Sequence, residues 1–202
     1  MPPKAKVTKE AILSAALDIL REKGSDGLNA RQLAKVLACS TQPIFSNYAS
    51  MEALRLDLME LAWRHYTDFA HAEMATDKYP PYKSYGMAYI TFAAREPELF
   101  RLLFMSRRTA EDANIGAGDV EKILDGIQAG AKLSRESAEK LHGEMWVFVH
   151  GAAVLLSSGT IHWDMEFVSR MLTDVYMGLR NHFAEQEGSY GCHCDKESSE
   201  RV

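Results

Sequence analysis

Thr41, Gln42, Ser46, Asn47 and Tyr48 cluster around Ile44 and Phe45, and their side chains are suited to reading a polar edge. The amide of Gln42 carries one donor and one acceptor side by side, which matches N6 and N7 of adenine. Thr41 can bond a phosphate or lay its methyl on thymine, and Asn47 can reach a phosphate or a base edge. The alternative is that Gln42 and Asn47 are solvated residues of a surface helix. Upstream, Lys4, Lys6 and Lys9 offer ammonium groups to phosphate, or form a charged terminus that orders only on a partner.

Bond-making chemistry is harder to find. The chain has no G-x-S-x-G, no phosphate-binding glycine loop and no H-E-x-x-H, so no catalytic residues are assigned. His65 and His71 are six positions apart and do not share a helix face well enough for two metal bonds. Cys192-His193-Cys194 has the right ligand types, but adjacent residues do not converge easily on one tetrahedral ion and no C-x-x-C spacing accompanies them. The expectation is therefore no metal and no cofactor.

Side chains that read a groove must stand clear of their own fold, so the flanking elements matter. Helical periodicity runs through the chain, with no sustained alternation of apolar and polar residues, and predicts an all-α fold of about nine helices. A first helix over 8–23 starts at the N-cap Thr8, with Ala11 as N3, and ends at Gly24 before a Ser-Asp-Gly turn. Asn29 caps a second over 30–37, Ala38 to Ser40 form a tight turn, and a third covers 41–48 with Pro43 in its first turn. Leu28, Leu33, Leu37, Ile44 and Phe45 are expected to form the small core beneath them. Two short helices joined by a three-residue turn and braced by a third make a helix-turn-helix.

Ser50 caps a fourth helix, which continues to about Ala75 with Trp63, Tyr66 and Phe69 on its later turns. Tyr79-Pro80-Pro81 breaks the chain. Further helices are expected to about Arg95, from Pro97 to about Met105, from Asp119 to about Ala131, from Ser134 to about Ser158 and from Asp164 to near Gln186, with a loop from Ala113 to Gly118. The division is a helix-turn-helix DNA-binding head at 1–50, a larger helical body at 51–187, and a disordered tail at 188–202.

The stretch LNARQLAKVLACSTQPIFSNYASMEAL resembles the N-terminal region of the TetR family of one-component regulators. The matching positions are Leu33-Ala34, Ser40, Phe45 and Tyr48. Three positions depart from the family pattern: Ala38 replaces the usual turn glycine, Phe45 a frequent tyrosine, and Met51 a frequent lysine. The resemblance implies that Thr41, Gln42, Ser46, Asn47 and Tyr48, with Lys4, Lys6 and Lys9, meet double-stranded operator DNA.

EPELFRLLF and EMWVFVHG further resemble the ligand-binding half of one branch, marked by Trp-x-x-x-His-Gly, here Trp146, His150 and Gly151. That branch implies a small-molecule effector bordered by Trp63, Tyr66, Tyr89, Phe92, Phe104, Met145, Trp146, Val149 and His150. Read from the residues alone, His150 is equally a packed histidine bonded to a neighbour, and most of the aromatics are ordinary core. The family also implies a homodimer through the last two helices, with Gly151, Ala152 and Ala153 allowing close approach and Val154, Leu155, Met171, Leu172, Val175 and Leu179 supplying apolar area.

Charge agrees with this division. The first 50 residues hold seven basic and four acidic groups, a net +3, so the remainder carries −8 of the overall −5. A basic head on an acidic body suggests that only the head approaches phosphate. No apolar run reaches membrane-span length and no signal-peptide core is visible, so a cytoplasmic protein without membrane contact is expected. Three cysteines form no disulfide framework. The sum is a ligand-responsive regulator, a repressor released from a palindromic operator by a small molecule and not an enzyme. The alternative is a helical metal- or small-molecule-binding protein without DNA-binding activity.

Overall fold

The computed structural model describes residues 7–106 and 120–197, with side chains to 188. Among the described residues every regular element is a helix. They are α1 (Lys9–Gly27), α2 (Ala30–Val36), α3 (Gln42–Asn47), α4 (Met51–Met74), α5 (Pro81–Arg95), α6 (Pro97–Phe100) continued by a π-helical turn (Arg101–Met105), α7 (Val120–Ala131), α8 (Arg135–Ser157) and α9 (Met165–Glu197).

Most starting points follow from side-chain caps that satisfy orphan N–H groups of the first turn. Thr8 Oγ1 accepts from the Ala11 amide at 3.2 Å, Asn29 Oδ1 from Gln32 at 3.0 Å and Ser50 Oγ from Ala53 at 3.1 Å. Ser134 Oγ accepts from Ser137 at 3.2 Å and Asp164 Oδ1 from Phe167 at 2.7 Å. These are the caps read from the sequence. α1 breaks at Gly24 as expected, with φ of 67°, but Ser25-Asp26-Gly27 then make another helical turn rather than an open one. The positive φ favours glycine at this position, and a β-carbon there would sit 2.8 Å from Glu98 Oε2 and push that carboxylate aside.

The chain divides into two compact units, one holding Met1–His71 with Phe92–Ala117 and the other Ala72–Thr91 with Gly118–Val202. This packing division differs from the boundary expected at residue 50, because α1 also packs on α6 and α4 runs on unbroken from the head. In the first unit Ile12, Ala16 and Leu20 of α1 meet a core completed by Leu33, Ile44, Leu54 and Leu58, all fully buried. Leu28 and Leu37 are only half-buried, and Phe45, expected in this core, is 50% exposed. Ile44 alone fills the space that α3 offers, so the next residue turns outward.

In the second unit α8 packs between α7 and α9, and α5 lies close enough that a β-carbon on Gly86 would be 3.1 Å from Leu172 and 3.4 Å from Val149. α9 continues past the expected end near Gln186, so residues 188–197, read as a disordered tail, extend the helix. Once a helix is nucleated each further residue adds a hydrogen bond, and no proline interrupts this segment. Residues 198–202, and the loop expected from Ala113 to Gly118, lie outside the described residues.

Ala38 adopts φ of 48°, the left-handed conformation for which the family pattern supplies glycine. That region costs a non-glycine residue about 1–2 kcal/mol, part of which the greater unfolded-state freedom of glycine would offset. Ala38→Gly is therefore expected to stabilise the chain by about 0.5–1 kcal/mol, seen as a higher denaturant midpoint at constant m-value. An unchanged or lower midpoint would show that the turn is not strained.

Candidate functional site

The candidate recognition surface begins with the helix expected to carry it. α3 is one and a half turns long, opened by Thr41 and Pro43 and ended by Tyr48 in extended conformation. Its buried side is Ile44, and its exposed side shows Gln42, Phe45, Ser46 and Asn47, with Thr41 half-buried at the N-cap. Gln42 is thus outward-facing, as base reading requires. Ser46 Oγ donates to Gln42 O at 2.9 Å, and Asn47 Nδ2 donates to Pro43 O at 2.8 Å and Val7 O at 3.3 Å. The Asn47 amide therefore tethers the chain before α1, a role the sequence did not suggest.

Tyr48 departs from expectation most clearly. Expected on the DNA side, it is only 3% exposed. Its hydroxyl donates to Asp57 Oδ2 at 3.2 Å, and burial followed by the Asp57 charge pushes the phenol's pKa well above its ordinary value. The same carboxylate holds Lys9 Nζ at 2.6 Å, and that ammonium lies 5.0 Å from the Tyr48 ring centre. Lys9 is accordingly the first residue of α1 rather than part of an arm. Lys9, Tyr48 and Asp57 pin the starts of α1 and α4 to the end of α3, which sets the stance of the exposed helix. No spacing in the sequence pairs Lys9 with Asp57, so only folding reveals this clamp. Lys4 and Lys6 lie outside the described residues.

A second tie in the same unit joins the end of α1 to the α5–α6 junction. Arg21 Nε and Nη2 donate to Glu96 Oε2 and Oε1, both at 2.9 Å, the fork-to-fork geometry that fixes direction as well as charge. Arg101 pairs with Glu98 one turn further on.

The residues expected to border an effector fall into two clusters, one in each unit. In the first, Trp63, Tyr66, Phe92 and Phe104 meet through tilted and edge-to-face contacts at 5.1–5.8 Å, with Phe69 and Phe100 completing the group. Such geometries place ring edges on ring faces and favour neutral aromatic neighbours. Phe104 belongs to the π-helical turn that closes α6 before the chain becomes extended at Ser106.

In the second unit Tyr89 Oη lies 2.9 Å from His150 Nδ1, and the His150 ring is stacked flat against Trp146 at 5.1 Å and 6°. His150 is thus bonded to a neighbour, one of the two readings left open by the sequence. Trp146, expected to border a cavity, is 54% exposed instead, because α8 turns this edge outward. Met145 is buried, and Val149 is half-buried facing Gly86. A polar group not foreseen lies nearby in sequence: Tyr82 Oη is 3.1 Å from His142 Nδ1, with Tyr176 at 5.8 Å from the Tyr82 ring. Burial holds the His142 pKa below its ordinary value and raises that of Tyr82.

The outward side of α8 and α9 is unusually apolar. Val147 is 65% exposed, with Trp146 and Leu155 on α8 and Phe167 and Met177 on α9 also open. A β-carbon on Gly143, Gly151 or Gly178 would meet nothing within 4 Å. The residues expected at a dimer contact are partly elsewhere: Ala152, Ala153 and Leu172 are buried within the protomer. The helix pair was legible, but not which face it leaves free.

Residues 83–175 match the family description "Tetracyclin repressor-like, C-terminal domain". No curated protein matches the chain. Among solved structures, a protein of unknown function from Rhodococcus sp. RHA1 superimposes with a TM-score of 0.70 at 19% identity, over 91% of this chain and 100% of that one. A putative TetR-family transcriptional regulator from Vibrio parahaemolyticus gives 0.57 at 16% identity, over 83% and 96%. A glutamine-to-alanine variant of TetR from Acinetobacter baumannii AYE, in complex with minocycline, gives 0.55 at 15% identity, over 88% and 99%.

Proposed function

We propose that the chain is a transcriptional regulator of the TetR family, a repressor that binds a palindromic operator as a homodimer and leaves it when a small molecule binds; the match over 83–175 and the shared fold support this reading. The observation that carries this reading is α3, a short helix showing Gln42, Phe45 and Ser46 outward while the Lys9–Asp57–Tyr48 clamp holds its far end. A helix presented in this way is what the major groove accepts.

Dimerisation through α8 and α9 would cover Val147, Leu155, Phe167 and Met177, which otherwise leave large apolar side chains in water. A two-fold contact of this kind matches two equal half-sites. The effector would contact the aromatic cluster around Trp63, Tyr66 and Phe104, and α4 would transmit its presence, since that single helix carries both Asp57 of the clamp and Trp63. A ligand that prefers one position of α4 then alters the separation of the two recognition helices.

Selection of bound sequences from random duplex DNA by the full-length protein tests the core of this reading. An enriched inverted repeat is expected, with half-site centres about 34–36 Å apart or a multiple of that. Failure to enrich any sequence would remove DNA binding from the proposal.

No helix among the described residues is long and apolar enough to cross a membrane.

A further inference from the structure

We propose that Phe45 reads a thymine 5-methyl group, so that each operator half-site carries a thymine within about one base step of the adenine read by Gln42. This rests on the DNA-binding reading above and adds to it the chemistry of the bases read.

Phe45 is half exposed on a helix whose other outward residues are polar, so among the described residues half of its ring surface is left open. Three positions after Gln42 it lies about 60° around the helix and about 4.5 Å along it. That rise is close to the roughly 3.4 Å between stacked bases, so the two side chains meet the same or adjacent steps. A phenyl ring has no donor or acceptor, hence nothing to offer guanine or cytosine edges. In the major groove the apolar group a base presents is the thymine methyl.

The charge pattern points the same way. α3 contains no lysine or arginine, the side chains suited to guanine O6 and N7. Gln42 matches adenine, and the head as a whole carries net positive charge for the phosphates. A reading helix that offers the Gln42 amide and the Phe45 ring and no cation favours A·T pairs. A phenyl ring pressed on polar base edges would strip their water and return no hydrogen bond, so a mismatch is penalised as well.

The experiment uses the full-length protein and the duplex recovered by selection. Each thymine is replaced in turn by uracil, which removes only the methyl group. Burying one such group is worth about 0.8 kcal/mol, so uracil at the matched position of both half-sites is expected to weaken wild-type binding about 15-fold. Phe45→Ala should bind more weakly but show no further loss at that position, while Phe45→Leu, with apolar contact retained, should keep most of the uracil penalty. Thermal melts of both variants separate a folding defect from a lost contact.

If the wild type tolerates uracil everywhere, or if Phe45→Ala keeps the full penalty, the thymine assignment is overturned while DNA binding stands. If no duplex is recovered at all, both readings fall.

Discussion

Gly151→Trp is expected to abolish the dimer while leaving the protomer folded. Gly151 lies inside α8, is exposed, and has open space where a β-carbon would be, so an indole there strikes nothing in its own chain. Glycine is also the poorest ordinary helix former, and its replacement favours α8 by a few tenths of a kcal/mol. Across the proposed two-fold axis the same side chain is inserted twice. Overpacking typically costs about 1–3 kcal/mol per site, or about 2–6 kcal/mol for the pair. The dimer dissociation constant should rise between about 30-fold and about 10⁴-fold.

Sedimentation equilibrium measures the association, and circular dichroism the fold. Gly151→Ala is the matched control, since one methyl adds little bulk to the contact. Operator affinity should fall with dimerisation, because one half-site alone supplies half of the contacts. A Gly151→Trp protein that remains a dimer with wild-type affinity would move the interface away from the exposed stripe of Val147, Gly151 and Leu155.

The second large effect concerns Gln42. A well-placed bidentate amide contributes about 1–3 kcal/mol of discrimination per base, and a two-fold dimer uses two. Gln42→Ala should therefore weaken binding to the selected operator by about 2–6 kcal/mol. On a duplex whose matched adenine has been exchanged in both half-sites, wild type and variant should bind alike. The salt dependence should not change, because no phosphate contact is lost. A uniform loss across all sequences, or a shallower salt slope, would make Gln42 a backbone contact instead.

The Gln42 effect depends on the stance that the clamp gives α3. Lys9 and Asp57 are each partly exposed, so their ion pair by itself adds little to stability. The buried Tyr48 hydroxyl is another matter, since removing its carboxylate partner would leave a polar group without its bond. The clamp thus fixes the stance of α3 through a weak ion pair and a buried hydrogen bond whose loss would also cost stability.

The helices and their starts were legible because they depend on local chemistry. Thr8, Asn29, Ser50, Ser134 and Asp164 cap the helices expected of them, since an N-cap needs only a short oxygen-bearing side chain and an amide three positions on. The break at Gly24 and the all-helical class follow in the same way from backbone freedom and apolar period. The outward Gln42 was readable too, because Ile44 fixed which side of a short helix must be buried.

What the sequence could not decide were matters of which face meets what. Phe45 and Tyr48 are both aromatic and three apart, so periodicity treats them alike. The core had room for Tyr48, beside Asp57 and Lys9, and left Phe45 in solvent. Likewise α8 and α9 are apolar on more than one side. Packing within the second unit consumed Ala152, Ala153 and Leu172 and released Val147, Gly151 and Leu155. Local propensity determines where a helix begins, whereas the choice among its apolar faces belongs to long-range packing, in which residues far apart in the chain compete for the same buried volume.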